Sequence, residues 1–276
     1  MSANLQKDLN YAYAVLGGKC DEKYRGVFAN TNEDLLTMFN NLNLLDKNVF
    51  AVMSSADYYI MSHLFGAKSV DCFDINPITY RYFFLRKWLI QTGIMDYGFC
   101  SYPKLLEIVN GLDTPPLEIE SESLEFWKEI IEYFNGHNHW DNGLITTSFS
   151  PLYYYYEERK CEVKKIISSA NPTFYNIDIC EKLGLGIGKK YDCIFLSNIL
   201  DCGNRNLERL NAIRQNTFDI LNSEGTVVCT HVPRFANEDC SRELAFEREC
   251  FQQSFEYSDI ICEGFGDIKY YQYTKR

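Results

Sequence analysis

Apolar and polar positions fall into blocks along this chain, and the clearest succession of blocks runs from Asn48 to Pro77. Val49, Phe50, Ala51 and Val52 form a short unbroken apolar run, the pattern of a strand buried on both faces. Ser54-Ser55-Ala56-Asp57 follows, a cluster of small residues where the strand must turn into a helix. A helix is predicted over 56–65, stopping at Gly66, and a second strand over 69–73 ends on Asp74. Beyond it Asn76 is a natural N-cap, Pro77 suits the first helical position and Gly93 lies just past the end of the next helix. That helix carries Tyr80, Phe83, Phe84, Trp88 and Leu89, an aromatic stripe of the kind that packs a core, with Arg81, Arg86 and Lys87 between them.

The flanking segments read differently. Residues 1–46 are polar and helical in character, with an apolar stretch at 11–16 and a helix over 32–42 capped by Asn32 or Thr31, Glu33 and Asp34 lying in its first turn. Residues 97–170 interrupt the strand–helix alternation with helical segments, one over 121–134 and a charged one over 157–167. The tyrosine run Tyr153 to Tyr156 points in four directions from a helix, so at least one ring is expected to face a cleft. This insertion, with the N-terminal helices, is expected to cap a ligand site and select the substrate. Alternation resumes with strands over 173–177, ending at Asp178, over 191–196, ending at Ser197-Asn198, and over 226–230. Helices over 206–221 and 238–255 and a hairpin of 258–262 with 268–273 complete the pattern.

A βαβ unit of this kind sets a helix N-terminus beside a loop of small residues, with a carboxylate at the tip of the next strand. That geometry suits a nucleoside, Asp74 accepting hydrogen bonds from two ribose hydroxyls. The G-x-G-x-x-G dinucleotide fingerprint is absent, Met53, Ser55 and Asp57 standing where glycines would, and no phosphate-cradling G-x-x-x-x-G-K-[ST] occurs. The plainer alternative is an ordinary βαβ unit in which Asp74 caps the following helix. A nicotinamide-dependent oxidoreductase would share only the strand, the helix and the acid.

Composition narrows the partners. A formal net charge of −11 argues against nucleic acid or an anionic membrane as an electrostatic partner. No signal peptide is recognised at the N-terminus, and no run of about 18 uninterrupted apolar residues predicts a membrane span. The eleven cysteines form no C-x-x-C, and Cys72, Cys193, Cys229 and Cys262 fall inside predicted strands as small hydrophobes, so a reduced, cytoplasmic protein is expected. His137 and His139 are a weak metal signal with no third ligand near them, and no metal is expected.

Five parallel strands followed by a terminal hairpin is the order of the S-adenosylmethionine-dependent transferase core. Ala51-Val52-Met53-Ser54-Ser55-Ala56-Asp57, Gly66-Ala67-Lys68-Ser69-Val70 with Phe73-Asp74-Ile75-Asn76-Pro77, and Tyr191 to Leu200 together resemble class I S-adenosylmethionine-dependent transferases. More closely, they resemble the family of the betaine-lipid enzyme that moves a 3-amino-3-carboxypropyl group onto diacylglycerol. Phe126-Trp127 and Gly143-Leu144 have counterparts in that family's insertion. The likeness covers about residues 48–230, and the family's first loop contains glycine where Ala56 stands here. It implies an α/β, Rossmann-like transferase fold over 1–276 as a single domain, with a mainly parallel sheet, a terminal antiparallel hairpin and a helical insertion. It also implies S-adenosylmethionine as cofactor and a small-molecule acceptor of a methyl or aminocarboxypropyl group. By the same resemblance Ser54, Ser55 and Asp57 would face the methionine moiety and Asp74 the ribose. Asp178 and the Ile179 amide would face the adenine, Ser197 and Asn198 would border the sulfonium, and Met53, Ile75 and Asn76 stand among the cofactor-binding positions. A non-catalytic binding protein on a degenerate transferase fold is the alternative that the missing glycines motivate.

Overall fold

The computed structural model describes residues 2–18, 26–29, 31, 33–96, 100, 102–113, 115, 117–135, 144–146, 151–180, 185–197, 199, 207–231, 239–260 and 269–276. In chain order the elements are α1 (Ala3–Leu16), β1 (Val27–Phe28), α2 (Leu35–Asn40), β2 (Asn48–Val52), α3 (Asp57–Leu64), β3 (Ser69–Asp74) and α4 (Ile78–Thr92). Then come α5 (Tyr102–Asn110), α6 (Glu118–Asn135), β4 (Ile145–Thr146), α7 (Tyr153–Glu158), α8 (Lys160–Ser168), β5 (Phe174–Asn176) and β6 (Tyr191–Ser197). The chain closes with α9 (Leu207–Ile220), β7 (Leu221–His231), α10 (Asp239–Gln252), β8 (Phe255–Ile260) and β9 (Lys269–Lys275). These fall into two compact units: Met1–Asn32, Met53–Ile60 and Asn76–Asn171 in the first, Glu33–Val52, Met61–Ile75 and Pro172–Arg276 in the second.

The second unit is built on a seven-stranded sheet of order β5-β3-β2-β6-β7-β9-β8. Its first five strands pair in parallel, and β9 joins antiparallel to both β7 and β8, as the sequence leads one to expect. β2 is central and buried from Val49 to Val52, and the Phe50 ring stacks on Phe73 at 4.6 Å and on Tyr191 at 4.8 Å. Cys72, Cys193 and Cys229 are buried on β3, β6 and β7 as free thiols, whereas Cys262 lies outside the described residues. The helix α2 starts later than expected. Asp34 caps it, Oδ1 accepting from the Thr37 amide at 3.2 Å, while Asn32 lies outside the described residues. β7 starts earlier than expected: Leu221 already pairs with Tyr191, and the expected Glu224-Gly225 turn is an excursion inside the strand before Thr226 meets Cys193.

The first unit gathers the N-terminal helix with the insertion. Its centre is α4, buried around nearly its whole circumference and ended by Gly93 at φ 102, where a left-handed residue is needed. Arg81, Arg86 and Lys87 are buried with the aromatic residues, which the sequence alone did not suggest. Each has an acid: Arg81 pairs with Asp8 (2.9 Å) and Glu122 (3.1 Å), Lys87 with Glu120 (3.1 Å) and Arg86 with Asp57 (2.6 Å). A buried cation persists only when so compensated. The charged segment expected over 157–167 is two helices, α7 and α8, broken at Arg159. The two-residue strands β1 and β4 pair in parallel in this unit. Among the described residues no helix is long and apolar enough to cross a membrane.

Candidate functional site

From β2 the chain builds the sheet outward through β3 to β5, then returns to place β6 on the other side of β2. Open α/β sheets take ligands at such a reversal, beyond the carboxyl ends of the strands. At that edge of the second unit β3 ends on half-buried Asp74, and Ile75 follows with 57% of its surface exposed. Asn176 at the end of β5 fixes this tip, its Nδ2 donating to the carbonyls of Asp74 and Ile75 at 2.9 Å each. Asp178 is half-buried and closes a local turn, Oδ1 accepting from the Cys180 amide at 2.9 Å. Ile179 is buried, and its carbonyl accepts from Asn216 Nδ2 of α9 at 2.9 Å. Ser197 ends β6 at φ 54 and donates from Oγ to Glu33 Oε1 at 2.6 Å. Asn198 lies outside the described residues, as do His137, His139, Trp140 and Gly143. The edge thus brings acceptor oxygens and a bare apolar side chain to the switch point, and no group of three metal-ligating side chains occurs among the described residues.

The loop that leaves β2 belongs to the first unit and has a different character. Met53 is buried, and its carbonyl accepts from the Ala56 amide at 2.7 Å in a tight turn. Ser54 has φ 41 and Ala56 φ 69, backbone that favours glycine, so Ala56 occupies a glycine conformation without being one. Ala56→Gly is therefore expected to stabilise the protein by about 1 kcal/mol, raising the Tm by roughly 2–4 °C. A melting temperature that is unchanged or lower in that variant would contradict the strain. Asp57 is fully buried and its carboxylate is surrounded by donors. Oδ2 accepts from the Thr31 amide and Ser55 Oγ, each at 2.7 Å; Oδ1 accepts from Arg86 Nη2 at 2.6 Å and from the Tyr156 hydroxyl at 2.9 Å. Arg86 also donates to the carbonyls of Ser55 and Ala29, and Tyr82 donates to Ala29 at 2.7 Å. Burial alone would lower the Arg86 guanidinium, but the Asp57 carboxylate with Tyr82 and Tyr156 holds it above its ordinary value. Burial, and then Asp57, pushes the Tyr156 phenol well up. Of the tyrosine run, Tyr156 is thus spent on this buried hub while Tyr154 is exposed. Asn76 is similarly engaged, Oδ1 accepting from the Ile78 amide at 2.9 Å and Nδ2 donating to the Gly26 carbonyl at 3.2 Å.

Four residues of these networks escape a reading of the sequence as binding positions: Thr31, Arg86, Tyr156 and Glu33. No local pattern couples Glu33 to Ser197, which lies 164 residues away. Asp34 caps α2, while the adjacent Glu33 is 2% exposed.

Strand order and pairing define the class of the second unit, a Rossmann-like sheet with a terminal antiparallel hairpin. No protein-family model matches the chain. No curated protein matches it in sequence. Solved structures are similar in outline. The N-methyltransferase NodS of Bradyrhizobium japonicum, in complex with S-adenosyl-L-homocysteine, is 9% identical with a TM-score of 0.45, the match covering 96% of this chain and 98% of that one. A methyltransferase from Pyrococcus furiosus is 10% identical with a TM-score of 0.43 over 99% of both chains.

Proposed function

We propose that the protein is a transferase that uses S-adenosylmethionine, and that its adenosine moiety binds at the carboxyl edge of the sheet. The observation that carries this reading is Asp74 with exposed Ile75 at the tip of β3, beside the switch point. A ribose presents two hydroxyl donors to one carboxylate, and a purine needs flat apolar surface, which Ile75 offers. Asp178 and the Ile179 amide, at the end of the neighbouring strand, suit the adenine edge, and Ser197 suits the reacting centre. S-adenosylmethionine supplies a sulfonium whose carbons are already activated, so the protein's part is to align an acceptor and exclude water. Within the first unit, Asp57 with four donors on its carboxylate braces the turn in which Ser54 and Ala56 are left-handed. The acceptor is a small molecule. The group moved is aminocarboxypropyl rather than methyl, on the likeness of Ser197 to Leu200 and of the Trp127 helix to the betaine-lipid family.

Calorimetric titration with S-adenosylmethionine, against NAD as the contrast, tests the site. Asp74→Ala is expected to weaken S-adenosylmethionine by about 1.5–3 kcal/mol, roughly 10- to 150-fold in Kd, the loss of a charged acceptor. An unchanged Kd in that variant refutes the placement. By-products separate the reactions: methylthioadenosine follows attack on the carboxypropyl carbon, S-adenosylhomocysteine follows attack on the methyl. A second reading, a binding protein that does not turn over, is favoured by the non-glycine loop, and its mark is binding with neither by-product.

A further inference from the structure

Glu33 and Ser197 form a pair that neither helix capping nor sheet packing explains. Capping of α2 falls to Asp34, whose Oδ1 and Oδ2 take the Thr37 amide (3.2 Å) and hydroxyl (2.7 Å). The adjacent Glu33 turns inward instead, is 2% exposed, and accepts from Ser197 Oγ at 2.6 Å, a length typical of a hydroxyl held by a charged acceptor. On the β6 side the backbone is bent to make this contact. Phe195 pairs with Val228 and Ser197 with Cys229, so β6 carries one extra residue, Leu196, in a bulge. Ser197 itself sits at φ 54. Bulges re-aim side chains at strand ends, and a strained non-glycine residue persists where its surroundings over-determine it. Both devices fall at the tip of the strand that flanks the switch point.

We infer that Ser197 and Glu33 form a proton path for the acceptor, and that the acceptor is therefore a protic nucleophile, an amine or an alcohol, rather than a preformed anion. The inference rests on the transferase reading above. In the step it describes, the acceptor heteroatom bonds to the sulfonium-bound carbon and the carbon–sulfur bond breaks, its electron pair going to sulfur. The proton lost by the acceptor passes to Ser197 Oγ, whose own proton passes to Glu33 Oε1. Charge balances: the sulfonium becomes a neutral thioether while the carboxylate becomes a neutral acid. Ser197 touches the acceptor, whereas Glu33 acts through it and is a positioning residue.

The test uses the full chain with S-adenosylmethionine, the low-molecular-weight fraction of a cell extract as acceptor source, and calorimetry beside by-product detection. Glu33→Gln, nearly isosteric, is expected to bind S-adenosylmethionine within twofold of wild type and to keep its KM, while kcat falls by about 100-fold or more, the usual weight of a lost base. Glu33→Asp is expected to recover part of that loss. Ser197→Gly supplies the control for folding. It relieves φ 54, so its Tm is expected to equal or exceed that of wild type even as kcat falls as far as in Glu33→Gln. Turnover by Glu33→Gln or Ser197→Gly within threefold of wild type overturns the proton path and leaves the cofactor site standing. Binding by wild type with no by-product does the same. Failure of wild type to bind S-adenosylmethionine overturns both.

Discussion

Asp57→Ala is expected to destabilise the protein by about 3–5 kcal/mol, the cost of stripping one partner from a buried ion pair. The Arg86 guanidinium is 2% exposed and would be left as an uncompensated charge among Tyr82, Tyr156 and backbone carbonyls. The Thr31 amide, Ser55 hydroxyl and Tyr156 hydroxyl would lose an acceptor as well, each a buried donor worth about 1–3 kcal/mol when unsatisfied. These costs overlap, because the cavity left by the carboxylate admits some relaxation, so the larger sum is not expected. At 2–4 °C per kcal/mol, the melting temperature should fall by roughly 10 °C. The double variant Asp57→Ala/Arg86→Met is expected to be more stable than Asp57→Ala alone, since removing both charges removes the orphan. Scanning calorimetry on the two variants decides it. A double variant as unstable as the sum of its single changes would show that Arg86 is held by something other than Asp57.

The contrast between what could and could not be read in the residues follows one physical line. The succession β2, α3, β3, α4 was legible because each boundary has a local cause. Gly66 at φ 86 and Gly93 at φ 102 take conformations other residues resist, and Asn76 caps α4 through Ile78. The glycine-like turn at Ala56 was legible in the same way, from the residue expected at that place. The Asp57 hub was not, because three of its four donors lie 26, 29 and 99 residues away in the chain, and no local pattern couples Thr31, Arg86 and Tyr156. The partners of α4 were hidden for a related reason: nothing local pairs Arg81, Arg86 and Lys87 with Asp8, Glu122, Asp57 and Glu120. β7 began early because Leu221 pairs before the turn at Glu224, and a bulge leaves no periodic trace. At the candidate site, Asp74, Asp178 and Ser197 were visible as polar residues at strand ends, whereas Glu33 became visible only once β6 was bent toward it.

Alkaline unfolding is expected between about pH 10 and 11, a second large effect, arising from buried groups that lose protons readily only when the chain opens. Burial, then the Asp71 hydrogen bond, raises Tyr191; burial, with Cys229 and Glu247, raises Tyr271 and Tyr273. Tyr156 is raised by burial and Asp57. Burial also pushes the Cys193 thiol up to about 12 and the Cys72 thiol well up. For every one of these the folded value lies above the unfolded one, so the native state binds more protons in the interval and stability falls as pH rises. The contribution is complete below the unfolded values, about 8.5 for a thiol and 10 for a phenol, and declines by about 1.4 kcal/mol per pH unit per group above them. At pH 10.5 the two thiols account for roughly 5 kcal/mol and the four phenols for roughly 3, together comparable with the whole stability of a typical domain. Melting followed by circular dichroism from pH 7 to 11, with phenolate absorbance recorded in parallel, gives the curve and shows whether the buried phenols ionise only as structure is lost. Cys193→Ala supplies the internal check. It lowers stability at pH 7 by leaving a small cavity, but its loss of stability between pH 7 and 10.5 should be smaller than that of wild type by about 2–3 kcal/mol, the share of one thiol. Equal losses in the two proteins would remove Cys193 from the account, and a melting temperature constant to pH 11 would remove the phenols with it.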